Sequence, residues 1–250
     1  MTRYYYDLHI HSCLSPCADD DSTPANIAGM ATLCGLNIVA LTDHNTTKNC
    51  PAFFAEAKKY GLIPIAGMEL TTSEDIHVVC LFEELSSAMK FGDYVDGHRH
   101  KVDNRPEIFG NQLILDENDR IIGEEKHLLI NATDISIEEA ASIVNQHGGV
   151  CYPAHIDRDS NGIIAILGDI PPDSEFLFYE LHSSERIDEF SEKYKIKKSR
   201  FIVSSDAHYL TDMRDKENFF ELADEPYSSA KVRVELFKLL RRGSCEGAIT

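Results

Sequence analysis

The amino-acid sequence predicts an α/β fold in which short strands covered by helices close into a distorted β/α barrel. Three observations carry this. Strand-like and helix-like segments alternate from Tyr4 onward. The strands are apolar on both faces, as in a parallel sheet with helices on it. Histidines and carboxylates collect where those strands end, and the C-terminal strand ends of a β/α barrel all face one side, where active sites are built.

Tyr4 to Ile10 reads as the first strand and Thr23 to Cys34 as the first helix, with Thr23 as cap, Pro24 in the first turn and Gly35 past the end. The apolar strand Asn37 to Leu41 follows, then a helix Pro51 to Tyr60 closed by Gly61, and the strands Leu62 to Gly67 and Ile76 to Phe82. Ser136 and Glu139 spell a capping box for a helix ending at Gly148. Strands are expected at Gly149 to Pro153, Phe176 to Leu181 and Phe201 to Ser204, and an amphipathic helix from about Ser229 to Arg241. The polar stretch 91–130 breaks the rhythm and is expected to be an inserted cap or lid, with a hairpin over Leu113 to Ile122 turning at Asp116-Glu117-Asn118-Asp119.

The 250 residues suit a single domain with that insertion. A net charge of −18 disfavours long duplex nucleic acid on a basic surface, while bound cations would still admit a phosphorylated substrate. The seven cysteines are odd in number and scattered, unlike a secreted disulfide framework. There is no membrane-length apolar run and no apolar signal region, so the expected location is the cytoplasm.

The chemistry gathers at five strand ends: His9 and His11, Asp43 and His44, Glu69, His155, and Asp206 with His208. Residues i and i+2 of a strand share a face, so His9 and His11 can grip one ion and Asp206 and His208 repeat the geometry. Carboxylates crowded at one mouth repel unless cations lie between them. Arg158, three residues after His155, and His182, at the end of the Phe176 to Leu181 strand, are placed to hold a substrate phosphate.

The segments Asp7-Leu8-His9-Ile10-His11-Ser12, Leu41-Thr42-Asp43-His44-Asn45, Gly67-Met68-Glu69, Pro153-Ala154-His155 and Ser205-Asp206-Ala207-His208 resemble the successive motifs of the PHP family, the polymerase and histidinol phosphatase domains. The resemblance implies a distorted, usually seven-stranded TIM-like barrel, two or three metal ions, and hydrolysis of phosphate esters. It makes His9, His11, Glu69 and Asp206 ligands of one ion, with Glu69 bridging to a second held by His77 and His155, and His44 and His208 on a third. Related phosphoesterases often carry a metal-binding aspartate in a Ser-Asp-Gly run after the first motif. Pro16 stands there in this sequence, and Asp19 is the expected replacement, with Asp21 and Cys17 as rivals.

Mixed imidazole and carboxylate ligands suit zinc, manganese or iron. Two such ions sharing a hydroxide would attack phosphorus in line, with Glu69 as bridge and Asp206 or His44 relaying a proton. Nucleotides or short 5′-phosphorylated oligonucleotides are the favoured substrates and histidinol phosphate the alternative. A non-catalytic PHP structural module is the reading of another class. An amidohydrolase is disfavoured, because none of these strand ends carries a bridging lysine.

Overall fold

The computed structural model describes residues 1–172 and 174–243. The chain runs β1 (Thr2–Asp7), α1 (Pro24–Leu33), β2 (Ile38–Leu41), α2 (Cys50–Lys59), β3 (Ile63–Thr71), β4 (His77–Phe82), α3 (Leu85–His98) and the short α4 (Pro106–Phe109). It continues with β5 (Leu113–Leu115), β6 (Ile121–Glu124), α5 (Ile137–Gln146), β7 (Gly149–Pro153), α6 (Ile163–Leu167), β8 (Tyr179–Leu181), α7 (Ile187–Tyr194), β9 (Phe201–Val203), β10 (Phe219–Leu222) and α8 (Ser229–Arg242). Local chemistry sets the helix starts. Thr23 accepts from the Asn26 N–H, and Ser136 and Glu139 cap each other's backbone reciprocally.

One sheet pairs in the order β10-β1-β2-β3-β4-β7, and β8 pairs with β9. Two further contacts curl these sheets toward closure. The Ile156 N–H donates to Glu180 O at 2.9 Å across the β7–β8 seam. Past β9, Ala207 bridges in parallel to Ile10 beyond β1. The staves are thus β1, β2, β3, β4, β7, β8 and β9, a distorted barrel with β10 hung on the first half of β1.

The sheet is not all parallel, as the sequence suggested. β1–β2, β2–β3 and β8–β9 are parallel, but β3–β4 and β4–β7 are antiparallel. The reason is the length of the β3–β4 connection. β3 runs on to Thr71, and the turn to β4 closes with the Thr72 N–H donating to Ile76 O and Asp75 at φ +69°. So short a link cannot make a parallel crossover. Running backwards, β4 brings its first residue, His77, to the mouth where its neighbours end. The expected strand at Phe176 is also shortened to Tyr179–Leu181, because the Arg200 guanidinium takes the carbonyls of Phe176 and Leu177.

Alternation along the strands divides the core. Ile38 and Ala40, Ile63 and Ile65, Val79 and Leu81, Val150 and Tyr152 fill the barrel interior, where α8 adds Val232, Leu236, Phe237 and Leu240. Val39, Leu41, Ala66, Met68, Val78 and Cys80 face the helices outside. The interior parity then predicts the mouth: after Ile38, Ala40 and Thr42 comes His44, and after Ile63, Ile65 and Gly67 comes Glu69. Gly67 cannot carry a side chain, since a Cβ there would lie 2.8 Å from both the Thr42 methyl and Cys80 O.

Segment 91–130 opens inside α3, whose Phe91 and Val95 are buried, and continues through α4 and the β5–β6 hairpin. The hairpin turn is tied by Asp116 Oδ1, which accepts from the Asn118 and Arg120 N–H groups at 2.9 and 3.0 Å. The segment leans on the loop after His11. At Gly110, φ is +96° and a Cβ would stand 2.1 Å from Pro16 O, so the two backbones touch where only glycine fits. Among the described residues no helix is long and apolar enough to cross a membrane.

Candidate metal centre

Glu69 is the hub of the mouth. Its Oε1 lies 2.8 Å from His77 Nδ1, 3.1 Å from His155 Nε2 and 3.3 Å from His9 Nε2. Its Oε2 lies 3.0 Å from His44 Nδ1 and 3.2 Å from His11 Nε2. Asp206 Oδ1 faces the same two imidazoles, 3.3 Å from His9 Nε2 and 3.2 Å from His11 Nε2. The carboxylate of Glu69 is 1% exposed, so no bulk water separates these groups.

The outer ring nitrogens are already committed. His9 Nδ1 meets Glu180 Oε2 at 2.8 Å, His11 Nδ1 meets Ser15 Oγ at 3.0 Å, and His208 Nδ1 meets the Asp206 carbonyl at 2.9 Å. An imidazole that donates from Nδ1 presents its Nε2 lone pair on the other side. Yet His9 Nε2 and His11 Nε2 are only 3.2 Å apart. Two lone pairs that close need a proton or a cation between them.

The donors fit a metal by this test. Atoms bound at roughly 2.0–2.1 Å around a tetrahedral ion lie about 3.3–3.4 Å from one another, and His9 Nε2, His11 Nε2 and Asp206 Oδ1 stand 3.2 to 3.3 Å apart, three corners of such a site beside the Glu69 carboxylate. His44 Nδ1, His77 Nδ1, Glu69 Oε2 and Asp206 Oδ1 are buried without a hydrogen-bond partner, a condition an ion would relieve. Three sets of donor atoms converge: His9, His11, Glu69 and Asp206; His44, Glu69 and His77; and His11, His44 and His208. His155 Nε2 stands 3.1 Å from Glu69 Oε1, and His44 shares a converging donor set with Glu69 and His77.

Asp19 lies outside the three sets as well. Its backbone N–H reaches His208 O at 3.0 Å, but its carboxylate accepts from the Asp21 N–H at 2.8 Å, as in an acidic turn. Arg158 and His182 are at the mouth: Arg158 Nη1 donates to Asp206 Oδ2 at 2.5 Å, and its Nη2 lies 3.2 Å from His182 Nδ1.

In the metal-free protein these contacts shift protons strongly. Burial alone would lower His11, but the carboxylates of Asp206 and Glu69 beside its ring outweigh it and raise its pKa to about 9. Burial would lower His9 too, yet Glu180, Glu69 and Asp206 push it well above the usual histidine range. Glu69 is held well below the carboxylate range despite its burial, chiefly by His77, His9 and His44. Burial takes His44 down to about 3 and His208 down to about 4, keeping both neutral and free to ligate.

Asp43 has a different part from the strand-end ligand its sequence position suggests, and Ser15 and Glu180 carry no motif that marks them. Asp43 is a strut rather than a ligand, accepting from Ser12 N, Ser12 Oγ and Ser15 Oγ at 2.7, 2.7 and 2.8 Å. Ser15 transmits that anchorage, since its Oγ also receives His11 Nδ1 and the His44 N–H. Glu180 orients His9 and accepts from the His155 N–H at 3.0 Å. The one signal for it was a lone carboxylate inside the apolar Tyr179-Glu180-Leu181. Glu180→Gln should weaken metal binding about 10- to 100-fold, as removal of a ligand's outer partner typically does. Competition against a chromophoric chelator measures this, and unchanged affinity would show that His9 needs no such support.

Comparison with known proteins places this geometry. The PHP domain matches residues 7–145, more than half of the chain. The chain belongs to the PHP domain family. The matched stretch carries His9, His11, His44, Glu69 and His77, while His155, Asp206 and His208 lie beyond it. An 84-residue segment is 36% identical to a 5′-3′ exoribonuclease of Haemophilus influenzae, covering 32% of this chain and 29% of that protein. Among solved structures, a lesion-specific endonuclease of Pyrococcus furiosus superposes with a TM-score of 0.62 at 21% identity, over 93% of this chain and 55% of that one. An amidohydrolase of Chromobacterium violaceum, solved with sulfate and no metal, superposes with a TM-score of 0.57 at 17% identity, over 96% of both chains. The PHP chain thus spans under a third of the exoribonuclease and about half of the endonuclease, and the two structural likenesses speak to the fold.

Proposed function

We propose that this PHP protein is a metal-dependent phosphoesterase acting on nucleotides or short 5′-phosphorylated oligonucleotides. The observation that carries it is the set of buried donors on His9, His11, Glu69 and Asp206, turned toward one another with Arg158 at their edge. His44, His77, His155 and His208 complete the proposed ligand supply around Glu69. When bound, divalent ions supply Lewis acidity and a nucleophile from water at neutral pH.

The chain's own part is positioning. Glu69 faces five imidazoles with two oxygens and is the one group able to join neighbouring ion sites. Asp206 is held below the carboxylate range, against its burial, by His9 and His11, so its contribution is negative charge rather than proton uptake. Arg158 offers a planar fork to the non-bridging phosphoryl oxygens. The stretch 91–130 is proposed as the wall of the mouth, because it packs on the Pro16 loop. The relative with an exoribonuclease name supports a nucleotide or oligonucleotide over histidinol phosphate.

The test is a hydrolysis screen with protein reconstituted with zinc, manganese or iron. It compares nucleoside monophosphates, short 5′-phosphorylated oligonucleotides, histidinol phosphate and a duplex carrying an abasic site. Metal-dependent release from the first two, with at least two ions per chain by elemental analysis, is expected. A chain that loads metal and cleaves nothing is a structural module. A reconstituted chain below one ion removes the metal centre itself.

A further inference from the structure

The histidines of the mouth are not held alike. His9, His11 and His208 each have a partner at Nδ1, in Glu180, Ser15 and the Asp206 carbonyl. His44 has none there: its Nδ1 is buried 3.0 Å from Glu69 Oε2 and takes part in no hydrogen bond. The direction of its ring is therefore inherited from its backbone. On one side the His44 N–H donates to Ser15 Oγ. On the other stands Asn45, 1% exposed and at φ +49°, in the left-handed region that glycine, asparagine and aspartate enter most readily.

Asn45 reaches in three directions. Its N–H donates to Glu69 O at 3.0 Å. Its Oδ1 accepts from the Thr71 N–H at 2.8 Å, at the end of β3. Its Nδ2 donates to Leu129 O at 2.7 Å and to Asn131 O at 2.9 Å, where segment 91–130 returns to the barrel. Both protons of the side-chain amide are thus directed at the exit of that segment. The exit is braced from its far side as well. Gln112 Oε1 accepts from the Leu129 N–H at 2.8 Å, and Gln112 Nε2 donates to Glu125 O and His127 O at 2.7 and 3.0 Å. Lys48 and Arg99 both pair with the Glu125 carboxylate. Hydrogen bonds run without a break from Gln112 through Leu129 to Asn45, the residue that follows His44.

We propose that Asn45 is a positioning residue that makes the placement of the His44 imidazole depend on segment 91–130. The segment then braces one part of the metal centre and not the whole of it. Two of the three donor sets contain His44, one with Glu69 and His77 and one with His11 and His208; the set of His9, His11, Glu69 and Asp206 does not. Loosening the clamp therefore acts on the first two sets and spares the third. The inference rests on the reading of the mouth as a metal centre and is independent of which ester is cleaved. Asn45 touches neither ion nor substrate and acts through His44.

The test titrates cobalt(II) into the chelator-treated full chain and follows its visible absorption, which reports both the number of ions and their coordination. Asn45→Gly keeps the left-handed backbone and removes the three side-chain hydrogen bonds. Its first ion should bind as in wild type, and the later ones about 10- to 100-fold more weakly, the usual cost of removing a group that orients a ligand. Gln112→Met, whose lost bonds all end on the backbone of segment 91–130, should weaken the same later step by a smaller factor. It decides the matter alone if Asn45→Gly does not fold. Melting of the metal-free variants is measured in parallel. If they melt earlier yet take up cobalt with wild-type affinities and spectrum, Asn45 only holds the fold and the proposal is wrong. It is equally wrong if the first ion weakens as much as the others, since the effect is then not directed through His44. Wild-type protein that takes up less than one ion overturns the metal centre itself, and this proposal with it.

Discussion

Glu69→Gln is expected to cut the rate of phosphate ester hydrolysis by two to four orders of magnitude, roughly 3–5 kcal/mol of transition-state stabilisation. The amide keeps the shape of the carboxylate and loses its charge. Five histidines contact Glu69 in the structure, so the substitution reaches two of the three donor sets directly and the third through His11 and His44. With one oxygen replaced by an N–H donor, the side chain can no longer offer a negatively charged acceptor to a cation on both sides. Metal content should fall with the rate. The barrel should stay folded, because its interior below the mouth is apolar and is sealed by α8. Parallel measurement of kcat, elemental content and the circular-dichroism melting curve decides the matter. A variant with full rate and full metal content would strip Glu69 of the bridging role and return the assignment to the His9–His11 and Asp206–His208 doublets.

Metal uptake should strengthen steeply with pH. In the metal-free protein His11 titrates at about 9 and His9 also well above the usual range, so below that pH protons occupy the space between their ring nitrogens. An ion must displace them, and apparent affinity should rise about tenfold per pH unit for each proton released, flattening above about pH 9. The stability of the metal-free chain should show the opposite trend from these two groups. Their folded pKa values exceed the unfolded value, so their contribution is complete below pH about 6.5; that of His11 fades as pH climbs toward 9, and that of His9 is lost only well above the ordinary histidine range. His44 and His208 act in reverse. Lying at about 3 and about 4 when folded, they oppose folding as the pH drops below about 6.5. Calorimetry in buffers of different ionisation enthalpy counts the protons released on metal addition. An affinity flat between pH 6.5 and 9 would mean that His9 and His11 are not the displaced acids.

The proposed ligands are legible because strand ends are written in single residues, and for His44 and Glu69 interior parity adds to this. Thr42 and His44, or Gly67 and Glu69, continue a same-facing series that the apolar positions begin. The direction of β4 was not legible, since it depends on how far β3 runs before turning, and Glu69 to Thr71 are as compatible with a loop as with a strand. A strand from Ile76 to Phe82 says nothing of which end lies at the mouth, and only the reversed run of β4 sets its first residue, His77, beside Glu69. Residue type alone points to Asp19 and does not reveal that its Oδ1 accepts from the Asp21 N–H in its own turn. Glu180 comes from a segment that touches the mouth only after the barrel closes across β7–β8 and β9–β1. No local spacing connects it to His9.

The contact of Gly110 with Pro16 has a consequence for how such a protein can be recombined. Pro16 follows Ser15, which holds His11 and His44 by their ring and backbone nitrogens. In a chimeric gene, a donor segment bringing any side chain to position 110 would push directly on that backbone and tilt two imidazoles. The outer segment and the loop after the first motif are therefore a co-inherited pair, far apart along the chain but not exchangeable one at a time. Crossovers that keep both from one parent should yield metal-binding chimeras, and crossovers that separate them should yield folded barrels with a misaligned mouth.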